Sequence, residues 1–141
     1  MSAQLKDTLS VKREAPRPRS FSKPYWDATR EKKLLVQYDR KSGKYQFFPR
    51  ATSIFTGRPD LEWREVSGKG RIYACTVVRV PGPGLEGRLP LSVATVDLEE
   101  GVRIIANILV SNSEVVTIGQ RVVLAWDQID GDTPYPAFRL A

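Results

Sequence analysis

The sequence contains no histidine and one cysteine, Cys75. A Ser–His–Asp triad, a Cys–His dyad and a histidine metal site are therefore excluded within this chain. An internal disulfide is excluded as well, and a lone thiol agrees with a reducing compartment. No apolar run approaches the ~18 residues that a membrane span needs. The opening stretch, MSAQLKDTLSVKREAPRPRS, lacks the apolar centre of a signal peptide. The expectation is a cytoplasmic protein, not membrane-bound, whose chemistry would have to rest on carboxylates, Lys, Tyr or Cys75.

What is present fits one ordinary domain, or a small domain with an appendage. A chain of 141 residues buries roughly 68% of its unfolded surface, so a core forms without cross-links. The net charge of +6 points first to nucleic acid, but its distribution does not. Residues 1–23 carry six basic and two acidic side chains, whereas residues 24–141 carry 16 and 14. The excess sits on a Pro- and Ser-bearing tail of the kind that stays flexible.

After the tail, FSKPYWDATREKK predicts a short helix, capped by Ser22 with Pro24 in its first turn. Phe21, Tyr25 and Trp26 crowd that turn; they either fold back on their own domain or dock on another protein. Leu34–Tyr38, Lys44–Phe48 and Leu61–Val66 read as strands with Gly-containing turns between them. Ser67–Gly70, SGKG, reads as a hinge-like break. RIYACTVVRV then places Ile72, Ala74, Thr76, Val78 and Val80 on one face and Arg71, Tyr73, Cys75, Val77 and Arg79 on the other. LSVATVDL and VRIIANILV form a hairpin about EEG, SNSEVVTIGQ is a connection with room for a helical turn, and RVVLAWDQI and AFRLA add strands. The fold class is mainly β, and the long first strand followed by a hairpin fits an OB-fold barrel. A sandwich stays open on pattern alone. The expected organisation is a tail at 1–23, a helix and small lobe at 24–66, and the barrel at 67–141.

Within the barrel, Cys75 reads as a small buried hydrophobe, since a reactive thiolate would need a closer cation. Asn107, polar within an apolar strand, reads as a partner for a barrel backbone group, with a ligand contact as the other option. Trp63 and Trp126 read as packing residues.

Two stretches share one frame. DRKSG, Asp39–Gly43, and SIFTG, Ser53–Gly57, both run polar-x-x-hydroxyl-Gly, the spacing of a C-x-x-C-G metal knuckle. They fall in an order of motifs: Tyr25-Trp26, LLVQ, the two frames with FPR between them, LEWREVSGKGRIYACTVV, LPLSVATVDLEEGVRIIANI and IGQRVVLAW. From about residue 24 to 141 this order resembles the proteins in which a rubredoxin-like zinc ribbon precedes an OB-fold and which accompany thiolase-like enzymes. The resemblance implies a non-catalytic accessory subunit acting with a thiolase-like partner on acyl-CoA thioesters. The partner's reaction could be C–C cleavage, C–C formation or acyl transfer, and two chains of each kind would form the complex. A single-stranded nucleic-acid-binding OB module is the alternative reading, disfavoured by the near-neutral barrel.

The resemblance puts the family's four cysteines at Asp39, Ser42, Ser53 and Thr56. One carboxylate and three hydroxyls are a poor zinc set, so no metal is expected. A structural zinc supplies about 10–16 kcal/mol in an isolated finger. Buried rings are the expected substitute, at about 1.5–3 kcal/mol each, with the lobe completed by the partner. The expected docking residues are Phe21, Tyr25, Trp26, Tyr45, Phe47 and Phe55. Coenzyme A needs cations for phosphate and a flat apolar surface for adenine. Arg50, Lys69 and Arg71, with Phe48 beside Arg50, are the candidates, and the Lys69 backbone N–H between two glycines would approach a phosphate. No covalently bound cofactor is expected.

Overall fold

The computed structural model describes residues 14–111, 114–129 and 132–141. Helix α1 spans Lys23–Arg30, with Pro24 in its first turn, where no intrahelical N–H is needed. Ser22 occupies the N-cap position, but its side chain does not cap the helix. Its hydroxyl turns backward, accepting the Arg19 N–H at 2.9 Å and donating to the Arg19 carbonyl at 3.2 Å. The expected cap is thus spent on the turn that leads into the helix.

Three short strands follow: β1 (Leu35–Asp39), β2 (Lys44–Gln46) and β3 (Leu61–Glu65). They pair antiparallel in the order β2-β1-β3. The second strand stops two residues short of the sequence expectation.

The remaining strands are β4 (Lys69–Val78), β5 (Leu91–Leu98), β6 (Arg103–Asn107), β7 (Arg121–Asp127) and β8 (Tyr135–Leu140), ordered β6-β5-β4-β7-β8. The first of these belongs to both halves of the sheet. Its opening residues Lys69–Arg71 pair with β7, and nearly its whole length pairs with β5. Beyond β6, Ile108 bridges Phe138 of β8, and the Leu109 N–H reaches the Phe138 carbonyl at 2.8 Å. The curled sheet is an OB-fold, and Phe138, fully buried, sits where its two ends approach. The connection from Ile108 to β7 holds no helix among the described residues.

Two sequence expectations fail in β4. SGKG is not a hinge: Lys69 and Gly70 already lie in the ladder, opposite Val123 and Val122. Gly68 has a φ of 75°, and a Cβ there would stand 2.6 Å from Leu124 Cβ; one on Gly70 would stand 2.6 Å from the Asp97 carbonyl oxygen. These glycines permit close crossing of strands, not looseness. The inner face also changes partway. Ile72 pairs with Val96, but Ala74 pairs with Thr95, so Tyr73 is an extra residue in a bulge. Side-chain parity switches there. Ile72 is buried, as expected, yet Ala74 and Thr76 are exposed, Val80 is 82% exposed, and Cys75 turns toward the core beside buried Ala94.

One hydrophobic cluster joins the lobe to the barrel. Tyr25, Leu34 and Val36 pack in it with Ile72, Val96, Ile104, Val122 and Phe138. Trp63 and Trp126 pack against it, half-buried, as expected for packing residues.

Candidate functional site

The two knuckle-spaced stretches form matching turns. Asp39 Oδ1 accepts the N–H groups of Lys41 at 2.9 Å and Ser42 at 3.4 Å. Ser53 Oγ accepts those of Phe55 at 3.1 Å and Thr56 at 3.3 Å. Each turn closes on its glycine: the Gly43 N–H reaches the Asp39 carbonyl at 2.8 Å and the Gly57 N–H the Ser53 carbonyl at 2.9 Å. Both glycines have positive φ, 71° and 72°. The heads of the turns meet directly, with Ser53 Oγ donating to Asp39 Oδ2 at 2.6 Å. Asp39 and Ser53 are 2% and 3% exposed. The Ser53 hydroxyl, then the backbone N–H groups of Lys41 and Ser42, hold the Asp39 carboxyl below its ordinary range against the opposing effect of burial. The Ser42 hydroxyl, buried nearby, adds weakly to the same effect on Asp39 and makes no hydrogen bond of good geometry among the described residues.

The segment between the turns is gripped by two glutamines that face each other across β1 and β2. Gln37 accepts the Arg50 N–H at 2.8 Å and donates to the Arg50 carbonyl at 2.7 Å. Gln46 accepts the Ile54 N–H at 2.8 Å and donates to Gln37 Oε1 at 2.8 Å and to the Thr52 carbonyl at 3.2 Å. Both side chains are buried. Sequence reasoning missed them; two inward glutamines in register at Gln37 and Gln46 were the available signal.

The expected aromatic substitution for a metal is therefore corrected. Polar groups occupy the centre of the lobe, whereas Phe48, Ile54 and Phe55 are 58%, 56% and 41% exposed. The lobe also leans on the barrel instead of awaiting a second protein, because Leu34 and Val36 are buried in the shared cluster.

The candidate docking residues separate by position. Tyr25 is buried, its ring 4.9 Å from Trp26 and 5.9 Å from Phe47, so it supports a surface from beneath and is not itself presented. Burial raises its phenol well above the ordinary tyrosine value. Trp26, Tyr45 and Phe47 are half-buried, and Phe21 and Phe55 are exposed. The Tyr45 ring lies against Tyr38 with centres 4.8 Å apart and planes tilted by 55°, and Lys44 Nζ lies 5.2 Å from the centre of the Phe55 ring. Tyr25, Trp26, Phe47, Phe48 and Pro49 line an apolar cavity of about 340 Å³ with Ile104, Ile105, Tyr135 and Pro136 from the barrel. Ile105 is 64% exposed and continues this surface onto Ala74, Thr76, Val93 and Thr95 on the outside of the sheet.

The coenzyme A candidates are not drawn into that cavity. Phe48 lines it, while Arg50, Lys69 and Arg71 do not. Arg71 donates to the Gly119 carbonyl at 3.2 Å, near β7. The Lys69 N–H is taken by Ser67 Oγ at 3.1 Å and is not offered to a phosphate, which corrects that expectation. Glu99 and Glu100 also hold the Ser67 hydroxyl, so the neighbourhood is acidic.

A larger groove of about 690 Å³ opens at one end of the barrel, lined by Cys75, Arg79, Arg88, Ser92 and residues 108–111 and 114–116. The half-buried Cys75 thiol lies 3.5 Å from the Val116 carbonyl. Arg88 pairs with buried Asp127. Asn107 donates to the same carboxylate at 3.4 Å, so among the described residues its side chain is partnered by a side chain and not, as expected, by a backbone group. No sequence pattern pointed to this trio, which joins three separate elements.

Over 111 residues, 76% of this chain and 79% of the relative, the sequence is 32% identical to a DUF35 domain-containing scaffold protein of Methanocaldococcus jannaschii. The chain belongs to the DUF35 family. A scaffold protein of the same description from Pyrococcus furiosus is 31% identical over 74% of this chain and 77% of its own length. Residues 63–127 match the family described as ChsH2, C-terminal OB-fold domain. A probable enoyl-CoA hydratase alpha subunit of Thermomonospora curvata is 30% identical over 129 residues; the DUF35 chain spans 40% of that protein's length. Among solved structures, a chain of an Ltp2-ChsH2(DUF35) aldolase superposes with a TM-score of 0.79 at 27% identity, covering 89% of this chain and 98% of the other. A DUF35 protein of unknown function from Sulfolobus solfataricus shares the fold, with a TM-score of 0.63 at 11% identity over 99% and 98% of the two chains.

Proposed function

We propose that this chain is a non-catalytic accessory subunit that binds a thiolase-like enzyme and helps it act on acyl-CoA thioesters. The observation that carries the reading is the likeness, along 89% of the chain, to the DUF35 chain of an aldolase assembled from two kinds of protein. The coenzyme A named for the Thermomonospora relative supports the substrate class. The surface around Phe48, Phe47, Trp26 and Ile105 supports the docking role, since apolar and aromatic groups exposed together mark interaction sites. In this reading the lobe is a zinc-ribbon frame whose four ligand positions hold Asp39, Ser42, Ser53 and Thr56, and the partner supplies the nucleophile. Phosphate contacts fall to Arg50 and Arg71, whose side chains remain exposed.

Co-expression with a thiolase-like protein encoded beside this chain tests the proposal. One hetero-oligomeric peak in size-exclusion chromatography, with two copies of each chain by light scattering, is the expected result. Separate elution of the two chains at micromolar concentration would refute it.

A further inference from the structure

The direct bond between the two turns gives the lobe a device independent of any partner. We propose that the Asp39 carboxylate is a proton-operated clasp: charged, it ties the Ser53–Gly57 turn to β1; protonated, it lets that turn go. Asp39 uses both oxygens. Oδ1 organises its own turn, and Oδ2 receives the Ser53 hydroxyl, which in turn organises the second. Only a carboxylate accepts at both positions with full strength. Among the described residues, the other side-chain ties on the second turn come from β2 and not β1: Gln46 accepts the Ile54 N–H, and Lys44 lies over the Phe55 ring.

The surroundings keep the charge in place. Arg40 and Lys41 flank Asp39 in sequence, and Lys44 stands opposite it on β2. Arg58, Asp60 and Glu62 share the adjoining cavity of about 460 Å³ with it. Glu62 is neutralised by Arg40 and Arg64, and among the described residues no ion pair reaches Asp39. The folded carboxyl titrates below its unfolded counterpart. The clasp is therefore whole above the ordinary aspartate range and fails as the pH falls through the folded value. Release frees the turn bearing Ile54 and Phe55, so acid changes an exposed apolar surface without requiring the barrel to open.

Amide exchange by NMR on the intact chain, expressed as protection relative to intrinsic rates, tests the clasp. In the native chain, protection of Phe55 and Thr56 should fall on acidification before that of the β5 amides. Asp39→Asn keeps one acceptor and loses the other, because its amide nitrogen faces a second donor. At neutral pH it should lower protection at Phe55 and Thr56 about tenfold or more and abolish the early acid step. Ser53→Ala removes both the donor to Asp39 and the acceptor of the Phe55 and Thr56 N–H groups. Their early acid step should vanish, while the acid loss of protection at Lys41 and Ser42, held by Asp39 Oδ1, should move to higher pH, which decides the matter if Asp39→Asn does not fold. Simultaneous acid loss at Phe55, Thr56 and β5 in the native chain, or an early acid step that persists at Phe55 and Thr56 in Ser53→Ala, would overturn the proposal. Neither outcome bears on partner binding.

Discussion

Phe138 and Tyr25 are buried for different reasons and should fail differently. Phe138 is fully buried where β8 meets Ile108. Truncation to alanine leaves a cavity that a closed sheet cannot collapse, so Phe138→Ala should cost about 3–5 kcal/mol, read from urea unfolding. Tyr25 buries a phenol that stays neutral in the folded chain. Its raised folded value means that its stabilising share is whole below about pH 10, the unfolded value, and is lost as the pH rises beyond it. Tyr25→Phe should leave stability at neutral pH within about 1 kcal/mol. It should flatten the alkaline decline, measured by urea midpoints on either side of about pH 10. At this scale the sequence was legible where a residue's size decided its place, as for Trp63 and Trp126. It was not legible where partners decided it: Asn107 finds Asp127 only because β6 and the end of β7 meet in space.

The strands were foreseen nearly to the residue where alternation was strict, as in β5 and β3. The reading failed inside β4, because periodicity assumes an unbroken ladder and Tyr73 interrupts it. Deleting Tyr73 should remove the bulge and leave the pairs on either side of it unchanged, with Ala74 outward opposite Thr95 and Cys75 inward opposite Ala94; thiol labelling no faster than in the native chain is the expected readout. The glutamine pair offers a second test. Gln37→Leu strands the Arg50 N–H and carbonyl and leaves Gln46 without one acceptor. A loss of about 1–3 kcal/mol, with faster amide exchange at Arg50 than in the barrel strands, is expected. The lobe's interior polarity was hidden for the same reason: composition around Asp39 and Ser53 shows rings, and only the fold shows that Phe48 and Phe55 point outward.

For the whole molecule, the shared cluster makes the lobe and barrel one packed unit, so truncating at the presumed hinge would expose Val66, Ile72 and Val122. Among the described residues no helix is long and apolar enough to cross a membrane. The surface running from Phe48 across Ile105 should matter to assembly and not to folding. Phe48→Ser with Ile105→Ser should abolish co-elution with the thiolase-like partner while shifting the urea midpoint little, since both side chains are mostly exposed. The kinship with the DUF35 family was legible as a pattern spread over most of the chain; the apolar face was not, because it is assembled from α1, the residues after β2, β6 and β8.

The glutamine grip touches Arg50, Thr52 and Ile54 solely through main-chain atoms. It is blind to their side chains. Residues 50, 52 and 54 can therefore drift without unmooring the segment, which makes this stretch an exchangeable cassette: relatives could retarget what they meet there while inheriting the same anchorage.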